Sequence, residues 1–292
     1  MGKVGNHRIS QDEQNQRYLE ERKSYYASVV KKLTIMDDVF MRNVLKKQKC
    51  TEYILQIIMG EKNLRVIDQV LQKDYKNLQG KSAILDCVAV NAEGKEINVE
   101  FQHEDQGASP KRARYHSGLL DMNTLEPGQD FSKLPESYVI FITRGDVLGY
   151  GLPIYHVERK IEEVEKNFKD EAHIIYVTGS NRENTELGRL MHDLNCKNPS
   201  EMHSEILAQR VYELKETPEG VEIMCNEMQK ILDEGIEIGT ERGIEKGIEQ
   251  GIEKGIKLCQ GFGSSRELAK HKIMEEFSLS AEQAEEKLNL YW

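Results

Sequence analysis

Cysteine is scarce in this chain, and the five that occur are not arranged for pairing. They are odd in number and widely spaced, and no two of them form a Cys-x-x-Cys motif. This spacing argues against a zinc knuckle and against a disulfide framework. It is typical of a protein of the reducing cytoplasm, where we expect this protein to be located. The cysteines are Cys50, Cys87, Cys196, Cys225 and Cys259.

Long apolar runs are missing as well. No stretch approaches the roughly 20 apolar residues that a helix needs to cross a bilayer. Residues 1–26 (MGKVGNHRISQDEQNQRYLEERKSYY) are polar and contain no apolar segment of the kind found in signal peptides. We therefore expect neither export nor a membrane partner.

The chain also lacks an excess of positive charge. It has 50 acidic and 40 basic residues, for a formal net charge of −10. Contacts from Lys and Arg to phosphates supply most of the non-specific affinity for nucleic acids, so DNA-binding proteins are usually basic. The charge here is uneven, because residues 46–49 (KKQK) and 111–115 (KRARY) are basic and much of the acid lies beyond residue 157. An acidic total therefore does not exclude DNA as a partner.

Two strand-like segments flank a predicted turn. Residues 81–91 (KSAILDCVAVN) have a β-branched apolar core, and apolar and polar side chains alternate in residues 96–103 (EINVEFQH). Gly94 lies in the connection and can supply a positive φ for the turn. The pattern predicts a hairpin in which Asp86 and Glu100 lie on adjacent antiparallel strands.

The remaining segments predict an α/β fold. Residues 64–67 are a short strand candidate, a helix follows from Ser109 as its cap with Pro110 in the first turn, and residues 157–168 have a helical pattern. Residues 138–143 and 173–178 are apolar throughout, as in fully buried strands, and the chain is helical from residue 186 onward. This order predicts a mixed sheet flanked by helices and followed by an all-helical C-terminal region.

The chemistry that the hairpin offers rests on two acids. Asp86 stands among apolar neighbours, where an ionised carboxylate is costly unless it is paired, hydrogen-bonded or bound to a metal. A divalent cation relieves the repulsion between two converging carboxylates, and oxygen ligands of this kind are those that Mg²⁺ prefers. A bound Mg²⁺ supports phosphodiester hydrolysis. The spacing alone leaves a second interpretation open, in which both acids lie at an edge or on a solvent face.

The sequence around these acids resembles a known family. The run GKSAILDCVA (80–89), followed by NVEFQ (98–102), is similar to the LD-x-x-A…N-[IV]-E-[FIM]-Q signature of the Rpn family, recombination-promoting nucleases and transposases of the PD-(D/E)XK superfamily. The resemblance continues in register from about residue 33 to 230, through KRARYHSGLLDMNTL, LPESYVIFITRGDVLGYGLPIYHVER and TELGRLMHD. It implies a restriction-endonuclease-like core and Mg²⁺-dependent DNA cleavage, with Mn²⁺ as a substitute.

The resemblance also implies roles for single residues. Asp86 matches the metal-binding Asp of the superfamily and Glu100 the acid of its E-x-K element. Glu52 matches an acid that some members carry in the first core helix, although a solvent-facing role is an equal alternative. Position 102 departs from the pattern, since Gln102 stands in place of the superfamily's Lys. Gln is usual in the Rpn group and can position a water by hydrogen bonding, but it cannot supply the positive charge.

A cationic substitute is predicted in the helix that follows. Lys111, Arg112, Arg114 and Tyr115 open this helix, and the spacing places Lys111, Arg114 and Tyr115 on neighbouring parts of one face. We interpret the four residues as DNA-binding, with Arg114 or Lys111 at the scissile phosphate or its neighbour. A solvated basic face without a DNA contact is the alternative.

Residues 235–257 form a repeat. Glycine recurs every four residues and Ile follows it in five of the six units. Glycine costs a helix about 1 kcal/mol relative to Ala. A four-residue period nevertheless aligns the glycines into a stripe that a partner helix can approach closely. The repeat is either a self-association helix or a flexible linker, and the surrounding charge excludes a membrane dimer.

These patterns predict five regions. They are an N-terminal arm (1–32), a PD-(D/E)XK nuclease core (33–195), a helical extension (196–234), the repeat (235–257) and a small helical segment (258–292). The function that they favour is Mg²⁺-dependent DNA endonuclease activity in recombination or mobile-DNA processing, with a homo-oligomer formed through the C-terminal region. The alternative is a weakly active or inactive DNA-binding or assembly protein that keeps the nuclease fold.

Overall fold

A computed structural model describes residues 11–75, 81–102, 105–181 and 183–292. The chain divides after Met228 into two compact units. Among the described residues, no helix is both long enough and apolar enough to cross a membrane.

A mixed six-stranded sheet forms the centre of the first unit. The strands are β1 (Val66–Tyr75), β2 (Ala83–Asn91), β3 (Glu96–Gln102), β4 (Ser137–Thr143), β5 (Ile154–Val157), β6 (Lys160–Ile161), β7 (Lys166–Asn167) and β8 (Ala172–Thr178). The order in the sheet is β1-β2-β3-β4-β8-β5. Strand β2 is antiparallel to both of its neighbours, β1 and β3, whereas β3, β4 and β8 are parallel and β5 is antiparallel to β8. Strands β6 and β7 form a separate two-stranded ribbon.

Helices cover both faces of this sheet, which confirms the predicted fold class. The helices are α1 (Gln11–Val30), α2 (Asp38–Leu45), α3 (Gln48–Ile58), α4 (Pro110–Thr124), α5 (Glu186–Asn195), α6 (Glu205–Glu216), α7 (Pro218–Gly261), α8 (Arg266–Phe277) and α9 (Ala281–Tyr291). The larger core combines α1, α2, α3, α5 and α6 with one face of β2, β3, β4 and β8, and the smaller core combines α4 with the opposite face.

The hairpin and the cap of α4 agree with their predictions. Strands β2 and β3 pair antiparallel around a turn in which Gly94 has φ 83°. The Ser109 hydroxyl accepts a hydrogen bond from the backbone N–H of Arg112, and Pro110 opens the helix. Both features place α4 directly after the strand that carries Glu100.

Two local predictions differ from the structure. The short strand predicted at residues 64–67 overlaps only the first two residues of a ten-residue strand, β1. The helix predicted over residues 157–168 is wrong, since this segment contains the end of β5, the β6–β7 ribbon and one 3₁₀ turn. Four apolar residues of this segment, Val157, Ile161, Val164 and Phe168, are all exposed, so burial in a core does not favour a helix there.

A buried lysine joins three distant segments of the first unit. Lys215 in α6 is 2% exposed, and its ammonium donates to the backbone carbonyls of Lys31, Leu33 and Lys197. The ammonium also lies 4.9 Å from the centre of the Phe40 ring. Burial lowers the pKa of Lys215 to about 8. We name this arrangement the Lys215 clamp.

The second unit (Gln229–Trp292) is helical, and the repeat lies within its first helix. Despite the six glycines of the repeat, α7 continues without a break to Gly261. Ile252 and Ile256 of the last two repeat units are buried against α8 and α9. A Cβ on Gly251 would lie 3.0 Å from the Phe277 ring, so glycine at this position permits the close approach of α8.

Candidate metal-binding active site

Strand β1 is distorted where it passes Asp86. Its register with β2 places Gln72 between the pairs Leu71↔Cys87 and Lys73↔Leu85, so Gln72 lies opposite Asp86. Gln72 has φ 52°, a left-handed conformation that is uncommon for residues other than glycine. Its side-chain amide donates to Asp86 Oδ1 at 3.3 Å. Strained backbone of this kind clusters at functional sites, which makes the segment around Asp86 a candidate for one.

Asp86 is held in place by the backbone of the neighbouring strand. The N–H of Phe101 donates to its Oδ2 at 2.9 Å. Burial raises the pKa of Asp86, the hydrogen bond from Phe101 lowers it, and the negative charge of Asp38 raises it again. The carboxylate is thus fixed but electrostatically unfavourable without a nearby cation.

Glu100 is the more deeply buried of the two acids. It is 0% exposed, and its Oε1 accepts a hydrogen bond of 3.2 Å from the backbone N–H of Asp86. Its other oxygen, Oε2, has no hydrogen-bond partner among the described residues. Burial, followed by the charge of Asp86, raises the pKa of Glu100 to about 8.

These two carboxylates fit a divalent metal. A buried carboxylate oxygen without a hydrogen bond is costly, and a cation shared with a second carboxylate removes the cost. Asp86 and Glu100 come from adjacent strands and are linked through one hydrogen bond, and the charge of Asp86 raises the pKa of Glu100. Carboxylate oxygens are suited to Mg²⁺ or Mn²⁺. The geometry therefore brings together the two acids that the sequence indicated as metal ligands.

Gln102 lies two residues beyond Glu100, at the end of β3. Its side chain meets Gly107, where an added Cβ would collide with Gln102 Oε1 and would lie 3.6 Å from Arg112 Nη1. The ends of the Gln102 and Arg112 side chains therefore border the same small space. Gly107 keeps this space open because it has no side chain.

Arg112 and His116 reach the site from α4. Arg112 Nη2 lies 3.6 Å from Glu100 Oε2, and Arg112 Nε donates to His116 Nε2 at 3.2 Å. The His116 ring is 2% exposed, and its Nδ1 lies 3.6 Å from Glu100 Oε1. Burial, followed by the charge of Arg112, lowers the pKa of His116 to about 4, so the ring is neutral.

The other three residues proposed for DNA binding lie further out on α4. Lys111 and Arg114 are exposed, while Tyr115 is 37% exposed and its hydroxyl donates to the carbonyl of Lys81. The structure thus places Arg112, rather than Lys111 or Arg114, against the acid of the site. Lys111 and Arg114 stay available on the same exposed surface.

Glu52 is not brought to this site. Its carboxylate accepts a hydrogen bond from the backbone N–H of Val66 and pairs with Arg65 at 3.3 Å. Val66 faces Asn91, at the end of β2 away from Asp86. A catalytic role for Glu52 therefore gains no support from its position. The helices bring a different acid to the site. The charge of Asp38, in the first turn of α2, raises the pKa of Asp86.

Asp38 and His116 were not identified from the sequence. Asp38 adjoins a second acid, Asp37, and nothing in the chain pattern distinguishes the two. His116 had a clearer signal, because it follows Arg112 by four residues and shares the buried face of α4 with Ala113 and Leu120. A histidine on the apolar face of the helix after the Glu100 strand could have been linked to this acid.

The mixed sheet with helices on both faces is consistent with one nuclease fold, and comparison with known families identifies the family. Residues 40–186 match the family model described as PD-(D/E)XK nuclease family transposase. The match covers half of the chain, and the chain belongs to this family. No curated protein and no solved structure matches it. The narrower resemblance to the Rpn group stays a prediction.

Proposed function

We propose that this protein is a Mg²⁺-dependent DNA endonuclease with Asp86 and Glu100 as the metal ligands. Membership of the nuclease family supports a nuclease-like function. The observation that carries the finer proposal is the buried pair itself, in which Glu100 Oε2 has no hydrogen-bond partner among the described residues. Mn²⁺ has the same ligand preference and is expected to substitute.

The residues of the site have separate roles in this proposal. When bound, Mg²⁺ polarises a phosphodiester oxygen and lowers the pKa of a water. The Phe101 N–H and the Gln72 amide orient Asp86, and the Asp86 N–H orients Glu100. Gln102 can position the attacking water through its amide, because it donates and accepts hydrogen bonds. Asp38 adds negative charge that favours a cation.

Lys111, Arg112, Arg114 and Tyr115 form the proposed DNA-binding surface. Lys111 and Arg114 are exposed on the helix that carries Arg112 to Glu100. Basic side chains at this place supply phosphate contacts close to the metal ligands. This local arrangement reconciles DNA binding with the acidic net charge of the chain.

A plasmid-nicking assay with Mg²⁺ tests the proposal. Wild-type protein should relax supercoiled plasmid, whereas Asp86→Ala and Glu100→Gln should abolish cleavage and weaken Mn²⁺ binding. Glu96→Gln is the matched control, since Glu96 is a buried acid of the same strand that hydrogen-bonds Tyr75 and Thr124. Full activity in Glu100→Gln would show that the site assignment is wrong.

The second candidate is an inactive DNA-binding or assembly protein. It is favoured by Gln102, because a neutral amide replaces the positive charge of the superfamily pattern. The same assay separates the two functions. Wild-type protein that binds DNA without nicking it in Mg²⁺ or Mn²⁺ would support the inactive alternative.

We also propose that the repeat associates with a second copy of this chain. The stripe already accepts an aromatic side chain in the second unit, where Phe277 lies against Gly251. The four earlier glycines have nothing within 4 Å of an added Cβ, and the neighbouring Ile236, Ile244 and Ile248 are exposed. The glycine stripe and its neighbouring isoleucines thus continue along α7 and are exposed there. The four glycines are Gly235, Gly239, Gly243 and Gly247.

Sedimentation tests this association. Replacing the four earlier glycines by Ala should raise the helix content in circular dichroism and lower the oligomer mass, because Cβ atoms block close approach. Deleting residues 235–292 should lower the mass and leave the nuclease core folded. An unchanged oligomer mass in both variants would contradict self-association and indicate that the repeat is a spacer.

A role in recombination or mobile-DNA processing and a cytoplasmic location complete the proposal. The family description, which names transposases, supports the first. The second is supported by the five cysteines, all of which are free thiols.

A further inference from the structure

The strand that carries Glu100 has no cation at the position where the superfamily pattern has one. A hydrolytic site that builds up negative charge on a phosphate needs a positive group close to it. Arg112 approaches this place from another element, with Nη2 at 3.6 Å from Glu100 Oε2. That distance is too long for a hydrogen bond, so the Nη2 N–H groups of Arg112 do not donate to Glu100.

The orientation of the guanidinium is fixed on its inner side. Nε donates to His116 Nε2 at 3.2 Å, and Nη1 borders the space beside Gly107 that the Gln102 side chain also enters. The Arg112 side chain is still 39% exposed. A guanidinium held in this way presents its remaining N–H groups outward, in a geometry that matches two oxygens of one phosphate.

His116 fixes this orientation from inside the protein. A guanidinium only donates hydrogen bonds, so His116 Nε2 accepts the Nε–H of Arg112. The other ring nitrogen, Nδ1, lies 3.4 Å from Asn98 Nδ2 and 3.6 Å from Glu100 Oε1, and the ring lies 5.7 Å from that of Phe141 in β4. His116 therefore contacts Arg112 and Glu100 through opposite ring nitrogens.

We propose that Arg112 binds the scissile phosphate and supplies, from α4, the positive charge that Gln102 lacks, and that His116 is its positioning residue. This inference rests on the proposed nuclease function. In this arrangement Gln102 and Arg112 together replace the lysine that the superfamily pattern has at position 102. Gln102 holds the water, and Arg112 holds the phosphate oxygens.

Substitution of Arg112 gives the first test. Single-turnover cleavage by Arg112→Met should fall about 100-fold or more, the effect typical of losing one group that stabilises a developing charge. Its Mn²⁺ affinity without DNA should stay equal or rise, because a positive charge beside Glu100 is removed. Arg189→Met is the matched control, since Arg189 is a half-buried helical arginine bonded to Asn184.

The outcomes separate this inference from the proposed function. Wild-type protein that does not cleave in Mg²⁺ or Mn²⁺ contradicts the nuclease function itself. Cleaving wild type with full activity in Arg112→Met overturns only the role of Arg112. A parallel loss of Mn²⁺ affinity and cleavage in Arg112→Met also overturns it, because Arg112 would then only support the metal ligand.

A lysine at position 102 gives a second, independent readout. In the Arg112→Met background, Gln102→Lys should restore cleavage at least about 10-fold, since it returns one charge to the same space. Failure to recover, with Mn²⁺ binding intact, would show that the two positions do not serve one phosphate.

The positioning role of His116 is tested by coupling. His116→Phe should lower cleavage in the wild-type background but cost little further in Arg112→Met, because the two residues act together. His116→Gln should retain more activity, since its amide oxygen can still accept from Arg112 Nε. Fully additive losses would contradict the positioning role.

Discussion

Glu100 should make the metal-free protein sensitive to alkaline pH. Its pKa is raised from 4.5 to about 8, so between these values the folded state binds a proton that the unfolded state has lost. The contribution of Glu100 to the free energy of unfolding is therefore most favourable below pH 4.5. It decreases progressively as the pH rises to about 8 and changes no further above that value.

The magnitude follows from the size of the shift. One pKa unit corresponds to about 1.4 kcal/mol, so the rise to about 8 corresponds to about 5 kcal/mol in the free energy of unfolding. That is a large share of the roughly 5–15 kcal/mol that a typical domain has. In Glu100→Gln the group cannot ionise, and this part of the pH dependence should disappear.

Urea denaturation in a chelating buffer measures this effect. We expect the free energy of unfolding of wild type, relative to Glu100→Gln, to decrease from pH 5 to pH 8.5. Manganese should restore about half of the loss, since a ligand at 100 times its Kd adds about 2.7 kcal/mol. Glu96→Gln should keep the response to manganese. Parallel wild-type and Glu100→Gln curves over this pH range would refute the electrostatic account of the site.

Substitutions at three further positions give separate tests. Gln102→Leu should lose most plasmid nicking because its side chain cannot hold a water, whereas Gln102→Lys should keep or raise it; an unimpaired Gln102→Leu protein would remove this residue from the site. In urea denaturation the free energy of unfolding of Gln72→Gly should exceed that of Gln72→Ala by about 1 kcal/mol, because alanine is strained in the left-handed conformation and glycine is not. Equal denaturation midpoints would contradict that strain. Lys215→Met should lower the free energy of unfolding by about 2–4 kcal/mol through three unsatisfied carbonyls, and a loss under about 1 kcal/mol would show that the clamp is not structural.

The hairpin and its acids were predictable because they depend on local signals. Alternation along residues 96–102, the positive φ of Gly94 and the Ser-Pro start of α4 are each a matter of neighbouring residues. These signals fix which strands are adjacent, and adjacency alone brings Asp86 to Glu100. The family match over residues 40–186 agrees with that local pattern.

The rest of the site depends on tertiary contacts that no local pattern contains. Asp38 is separated from Asp86 by two helices and a strand, and only the packing of α2 beside the sheet brings its charge close. Arg112 turns inward while Lys111 and Arg114 turn outward, and a one-residue difference in helix phase decides which cation meets Glu100. In residues 157–168 a local pattern was misleading. It predicted a helix, but the apolar side chains there are exposed, and the segment contains short strands and a 3₁₀ turn.

The Lys215 clamp has a consequence for folding during synthesis. Its ammonium satisfies carbonyls of Lys31 and Leu33, more than 180 positions earlier in the chain, as well as that of Lys197. Domains generally fold as units as they leave the ribosome, N-terminal parts first. The strands that hold Asp86 and Glu100 are thus translated long before α6 can close the larger core. A nascent chain ending before residue 215 should therefore be susceptible to proteases at residues 31–33, and the resistance should appear only once α6 has emerged.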